Sequence, residues 1–122
     1  QAFAGPMLDE LRAHPGRYDL GSVALITSSG VMWSQENKTG LLEFMPNAIL
    51  FDSLGSSEAV GLGASLSTKG APQATAKFML GPNCAVFDDD GNRVEPGSAE
   101  IGRVAVGGFI PLGYYKDEAK TA

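Results

Sequence analysis

Apolar and polar positions alternate along this chain in two different rhythms. In "PMLDELRAH", Met7, Leu8 and Leu11 fall on one helical face, and Pro6 suits a first turn. His14-Pro15-Gly16 stops that helix. "SVALITSS" (Ser22–Ser29) is a short apolar run carrying Val23, Leu25 and Ile26 between Gly21 and Gly30, and it predicts a buried strand. "SQENKTGLLEFM" predicts a helix capped by Ser34, with Leu41, Leu42 and Met45 inward and Gly40 an unfavourable interior residue. Pro46-Asn47 ends it, and "AILFDSL" predicts a second buried strand. Strand, helix and strand imply a parallel pair, with loops at the strands' C-terminal ends where α/β folds bind ligands.

The second half changes rhythm. Gly61 to Gln73 is rich in Gly, Ala, Ser and Thr and predicts an ordered loop or linker. Beyond it, Ala85–Asp88 reads as extended, Asp90-Gly91 as a hairpin turn, Pro96-Gly97 as a second turn, and Ile101–Val106 alternates as a strand. The expected fold class is α/β, with a parallel-strand α/β layer over residues 1–74 joined to antiparallel β-hairpins over residues 75–122.

Composition narrows the function classes. The chain has 122 residues, is 43% hydrophobic and 19% charged, and can therefore bury a core. Its net charge of −5 lacks the clustered Lys and Arg of a nucleic-acid surface. No run approaches the roughly 20 apolar residues of a membrane span. The single cysteine, Cys84, cannot form an internal disulfide, which suggests a reducing, cytoplasmic setting. Gln1 in place of Met and the ending "GYYKDEAKTA" suggest a chain cut at both ends.

Most candidate chemistry dissolves on inspection. Neither a Gly-x-x-x-x-Gly-Lys loop nor Gly-x-Gly-x-x-Gly nor Gly-x-Ser-x-Gly is present. His14, the only histidine, sits at a helix end where a surface or capping role is expected, and Cys84 reads as a small packing residue. "DDDGN" fails as a calcium loop: with Gly91 at position six, Val86 falls at position one and Gly97 where the bidentate Glu belongs. A hairpin turn remains. "FDSLGSSEAVGLGAS" is the exception, because glycine after a parallel strand lets backbone approach a ligand. Two hydroxyls there can donate to phosphate oxygens, and the carboxylate beside them can hold Mg²⁺. A strand end merely capped by Ser and Glu explains the same residues.

Five signatures in order, "SSGVMWS", "DSLGSSE", "AEIGRVAVGG" and "PLGYYKDEAKTA" with a helix between the first two, closely resemble the adenylate-forming superfamily and, within it, acyl-CoA synthetases (fatty-acid–CoA ligases). The resemblance covers essentially the whole chain and implies a piece of a large N-terminal domain, its second half part of a small β-barrel-like subdomain. It implies that Ser57 replaces the threonine that bonds the α-phosphate of ATP and that Glu58 is the Mg²⁺ ligand. Those two are the implied catalytic residues. Asp52 would stand near the adenine amino group, with Ser53, Gly55 and Ser56 completing the nucleotide corner. Leu54 takes the place of an aromatic that packs on adenine. Ser29 and Gly30 would line the other side of the base, where Val31 and Met32 depart from the family's Gly-Gly-x-Pro turn. Glu100-Ile101-Gly102-Arg103 and Gly113-Tyr114 match a late structural motif, and Glu118 falls where proline is usual.

The implied partners are ATP, coenzyme A and a carboxylic acid, fatty or sterol-derived. The family's Pro-Lys phosphate loop, Tyr-x-Thr-Gly-Asp motif, hinge and lid are not in these residues, so the chain alone is expected to be inactive and prone to self-association through uncovered apolar faces. A luciferase-like oxygenase, a peptide-synthetase adenylation module and a non-catalytic α/β piece remain the competing readings.

Overall fold

The structure, a computed structural model, describes residues 2–71 and 74–121. Helix α1 (Ala4–Ala13) opens the chain. Pro6 lies in its first turn, where backbone N–H groups have no intrahelical acceptor and none is lost. Ala4, Leu8 and Leu11 are buried, whereas Met7 is half exposed, so the inward face is narrower than the apolar pattern suggested. His14 forms the C-terminal cap: its N–H donates to the Glu10 carbonyl, and its Nδ1 lies 3.1 Å from Glu10 Oε1.

Strand β1 (Leu25–Ser29) leads through a loop to helix α2 (Gln35–Phe44), which feeds strand β2 (Ile49–Leu54). Ser34 caps α2 as the sequence indicates, its Oγ accepting from the Asn37 N–H at 3.3 Å. Gly40 has a packing reason to be there. A Cβ at that position would meet both Leu8 methyl carbons at 3.1 Å, so the glycine lets α1 cross closely over α2. Strands β1 and β2 are parallel, with Leu25 opposite Ile49 and Ser29 opposite Ser53, as the strand–helix–strand pattern requires. β1 is not buried throughout, however. It has a neighbour on one side only among the described residues, and Leu25, Thr27 and Ser29 face solvent.

A second correction concerns Gly61–Gln73. Gly63–Ser67 is not a loop but strand β3, antiparallel to β2, with Leu50 opposite Ser67, Asp52 opposite Ser65 and Leu54 opposite Gly63. Gly63, Ser65 and Ser67 turn inward and Ala64 and Leu66 outward, a period of two written in residues too small to register as hydrophobic. Gly63 is required by a close approach: a Cβ there would sit 2.9 Å from the Met79 carbonyl on strand β4 (Met79–Leu80). The sheet is therefore mixed, in the order β1-β2-β3-β4, with parallel pairing confined to β1 and β2. Pro72 and Gln73, the end of the expected loop, lie outside the described residues.

The core sits between the helices and one face of this sheet: Leu8, Leu11, Trp33, Leu41, Leu42, Met45, Ala48 and Leu50. Strands β5 (Cys84–Phe87) and β6 (Arg103–Val106) form a separate antiparallel pair. The turn expected at Asp90-Gly91 is present, closed by the Gly91 N–H to the Asp88 carbonyl, with Gly91 at φ +82°. Pro96-Gly97 also turns, the Ser98 N–H reaching the Glu95 carbonyl and Gly97 taking φ +87°. A short helix α3 (Glu118–Thr121) ends the described chain. Among the described residues no helix is long and apolar enough to cross a membrane.

Candidate functional site

Strand β2 delivers its last residues to the end of the parallel pair, and the backbone folds back at once. The Ser56 N–H donates to the Ala59 carbonyl at 2.9 Å, and the Ala59 N–H returns to the Ser56 carbonyl and to Ser56 Oγ. Gly55 permits this: a Cβ there would lie 3.3 Å from the Ala59 carbonyl oxygen. The turn leaves Ser57 and Glu58 exposed at its tip.

Both tip residues line a cleft of about 580 Å³, whose opposite wall is Ile110–Tyr115 with Lys120 and Thr121. The Tyr114 hydroxyl donates to Glu58 Oε1 across it. A hydrogen bond from Ser56, and then one from its own backbone N–H, hold the Glu58 carboxyl below the usual carboxylate range. Glu58 is thus anionic at neutral pH. Lys120 brings a positive charge to the same wall, its Nζ 3.5 Å from Asp117 and 5.9 Å from the Tyr114 ring centroid. Among the described residues no three His, Cys, Asp or Glu side chains gather as a ready-made metal site.

A second cleft, about 280 Å³, lies on the other side of the strand end. Gly30, Val31 and Met32 from the β1–α2 loop face Asp52, Ser53, Leu54 and Gly55 across it, with Ala76 and Phe78 closing the side. Gly30 takes φ +81°, a backbone conformation few other residues adopt. The nine sequence-derived site residues are therefore divided. Gly30 and Asp52 through Gly55 share this cleft, Ser57 and Glu58 share the larger one, and Ser56 holds the turn between them. Ser29 stands beside Ser53 in register but lines neither cleft. Asp52 is almost fully buried, its Oδ2 3.3 Å from Lys38 Nζ.

Three contributors escaped the sequence reading. Tyr114 meets Glu58 from 56 residues away, and nothing in spacing announces that. Phe78 supplies an aromatic wall to the smaller cleft, where the strand itself offers only Leu54. Lys38 did leave a signal: with Leu41, Leu42 and Met45 it completes the inward face of α2 at intervals of three, four and seven residues, an unusual place for a lysine.

Comparison with known proteins shows what the chain as a whole is similar to. No protein-family model matches the chain. The chain is 44% identical over 125 residues to a medium/long-chain-fatty-acid–CoA/3-oxocholest-4-en-26-oate–CoA ligase of Mycolicibacterium smegmatis, covering 99% of this chain and 23% of that protein. Against a 3-oxocholest-4-en-26-oate–CoA ligase of Rhodococcus rhodochrous it is 42% identical, covering 98% and 22%. A medium-chain acyl-CoA ligase, Mig, of Mycobacterium avium is 36% identical over 99% of the chain. Among solved structures, IdnL1 superposes with a TM-score of 0.64 at 26% identity over 94% of this chain and 23% of its own, and VinN with 0.54 at 17% over 80% and 25%. The chain spans under a quarter of the length of the curated relatives it matches. Within that span, its residues belong to the acyl-CoA ligase family of adenylate-forming proteins.

Proposed function

We propose that the protein carrying this chain is an ATP-dependent acyl-CoA ligase and that these residues form its magnesium and α-phosphate corner together with one wall of the base pocket. The observation that carries the reading is the tight Gly55–Ala59 turn at the end of a parallel strand pair, which presents a hydroxyl and an ionised carboxylate to one cleft. The relatives' names supply the substrate class: a carboxylic acid of fatty or sterol type.

In the first half-reaction the carboxylate oxygen of the acid bonds to the α-phosphorus of ATP, and the bond to the bridging oxygen breaks, releasing pyrophosphate. In the second, the sulfur of coenzyme A bonds to the acyl carbon and AMP leaves, with the thiol proton passing to solvent. Ser57 donates a hydrogen bond to a non-bridging α-phosphate oxygen as charge builds there. Glu58 presents one carboxylate to an open cleft, which suits Mg²⁺, since that ion takes one or two carboxylates and completes its shell with phosphate oxygens and water. Held by Glu58, Mg²⁺ would supply charge screening at the phosphates. Tyr114 holds one Glu58 oxygen, leaving the other for the metal. In the smaller cleft Asp52 accepts from the adenine amino group, while Leu54 and Phe78 cover the base.

The same reading gives the hairpin half to a barrel-like subdomain, starting after β4 rather than at residue 75 because Met79–Leu80 pair with β3, and puts the protein in the cytoplasm, which the one free thiol supports. Exposed Ile101, Phe109 and Leu112 support self-association of the isolated chain. A monomer by light scattering at high concentration would count against that. To test the function, full-length protein is incubated with ATP, Mg²⁺, a fatty acid and coenzyme A. Acid-dependent AMP and acyl-CoA by mass spectrometry support the proposal. Acyl-adenylate that coenzyme A never consumes points instead to an adenylation module, and no acid-dependent product at all refutes ligase activity.

A further inference from the structure

Asp52 reaches the smaller cleft with a charge behind it. The carboxylate is 4% exposed and Lys38 is 1% exposed, so this is a buried ion pair at the end of β2. Ser28 on β1 and Ser65 on β3, both uncharged, flank Asp52 in register, and the Lys38 ammonium lies 6.0 Å from the Trp33 ring centroid. The Ser65 hydroxyl, Trp33 Nε1 and Lys38 Nζ are all buried without hydrogen-bond partners, so what holds the carboxylate is the ion pair to Lys38 at 3.3 Å.

We propose that Lys38 is a positioning residue for purine selection: it anchors the Asp52 carboxylate on the cleft floor as a pure hydrogen-bond acceptor. The inference rests on the reading of this cleft as the site of the nucleotide base. An ionised carboxylate has no proton to donate. It accepts from an amino group, as adenine presents, and repels a carbonyl oxygen at the same place, as guanine presents. Without Lys38, the 3.3 Å contact that holds Asp52 Oδ2 is gone and the carboxylate is free to turn away from the base. The floor then stops distinguishing the two bases.

The test uses the full-length protein with ATP and GTP, scored by acid-dependent pyrophosphate release, with thermal unfolding followed in parallel. Lys38→Met should narrow the ATP-to-GTP ratio of kcat/KM by about tenfold, one hydrogen bond's worth. The loss should fall on KM for ATP rather than on kcat. Lys38→Met/Asp52→Asn removes both charges, which guards against a single variant that fails to fold. Its amide can donate or accept, so the ratio should stay narrowed while thermal stability returns towards wild type. A ratio unchanged in the folded variants, with activity on both nucleotides falling together, shows a merely structural lysine and overturns the proposal. So does a wild-type enzyme that uses GTP as readily as ATP. A wild-type enzyme with no acid-dependent pyrophosphate release from either nucleotide refutes the ligase reading itself.

Discussion

The crossing of α1 over α2 gives the sharpest stability prediction, because three neighbouring positions should respond in three different ways. Leu8 is buried and its methyl groups lie over Gly40, whereas Met7, next in sequence, is 44% exposed. Leu8→Ala removes buried carbons and opens a cavity, costing about 3 kcal/mol within a usual range of roughly 2–5. Met7→Ala should cost under about 1 kcal/mol, since little of that side chain leaves an apolar setting. Gly40→Ala sets two effects against each other. Alanine gains about 1 kcal/mol of helix propensity, but its Cβ would press on both Leu8 methyl carbons at 3.1 Å, and overpacking costs roughly 1–3 kcal/mol. In the wild-type background the result should be neutral to destabilising. In the Leu8→Ala background only the flexible Arg12 guanidinium, 3.3 Å from the added Cβ, has to move, and Gly40→Ala should stabilise by about 1 kcal/mol or slightly less. Urea unfolding of the four proteins followed by far-UV circular dichroism closes the cycle. Gly40→Ala effects agreeing in both backgrounds within about 0.5 kcal/mol would mean that Leu8 and Gly40 do not touch. Equal costs for Met7→Ala and Leu8→Ala would refute the burial pattern of α1.

Other consequences follow from single side chains. Ser34→Ala removes the acceptor for the Asn37 N–H and should cost about 1 kcal/mol in the same unfolding assay, with Ser34→Asp largely neutral. Hydrogen bonds from the Asn92 side chain and then its backbone N–H hold the Asp88 carboxyl below the usual aspartate range. A depressed folded value means that the unfolded chain protonates first, so the stabilisation is present above about pH 4 and lost as pH falls through the folded value. The Asn92 amide resonances should therefore shift in acid as the turn loosens, and Asp88→Asn should abolish that titration. Asn92 signals that ignore acid in the wild type would contradict the assignment.

What was legible in the sequence follows from how each element is stabilised. Helix α2 was readable because its cap, its inward leucines and its terminating proline are all local. The parallel β1–β2 pair was readable because an intervening helix leaves the strands few alternatives. Strand β3 was not, since Gly63, Ser65 and Ser67 pack by being small, and size without hydrophobicity leaves no periodic trace. The exposed half of β1 was missed for a related reason: an apolar run does not say how many neighbours its strand will have. At the candidate site, Gly55 through Glu58 stand out on their own chemistry, but only the order of neighbouring signatures separates them from a capped strand end. The division of those residues between two clefts, and the arrival of Tyr114 and Phe78, depend on chain separations that no local pattern encodes. Lys38 was written plainly on the apolar face of α2, but its meaning required Asp52 opposite it.

The most direct test of the ligase reading is acid-dependent exchange of labelled pyrophosphate into ATP by the full-length protein, wild type against Glu58→Ala. Glu58 is exposed and supports no core contact, so the variant should keep its circular dichroism spectrum and thermal midpoint. Exchange by the wild type should require both a fatty or sterol-type acid and Mg²⁺, and should fall by about 100-fold or more in the variant, the scale on which losing one stabiliser of developing charge acts. Near-normal exchange by a folded Glu58→Ala protein would contradict the account.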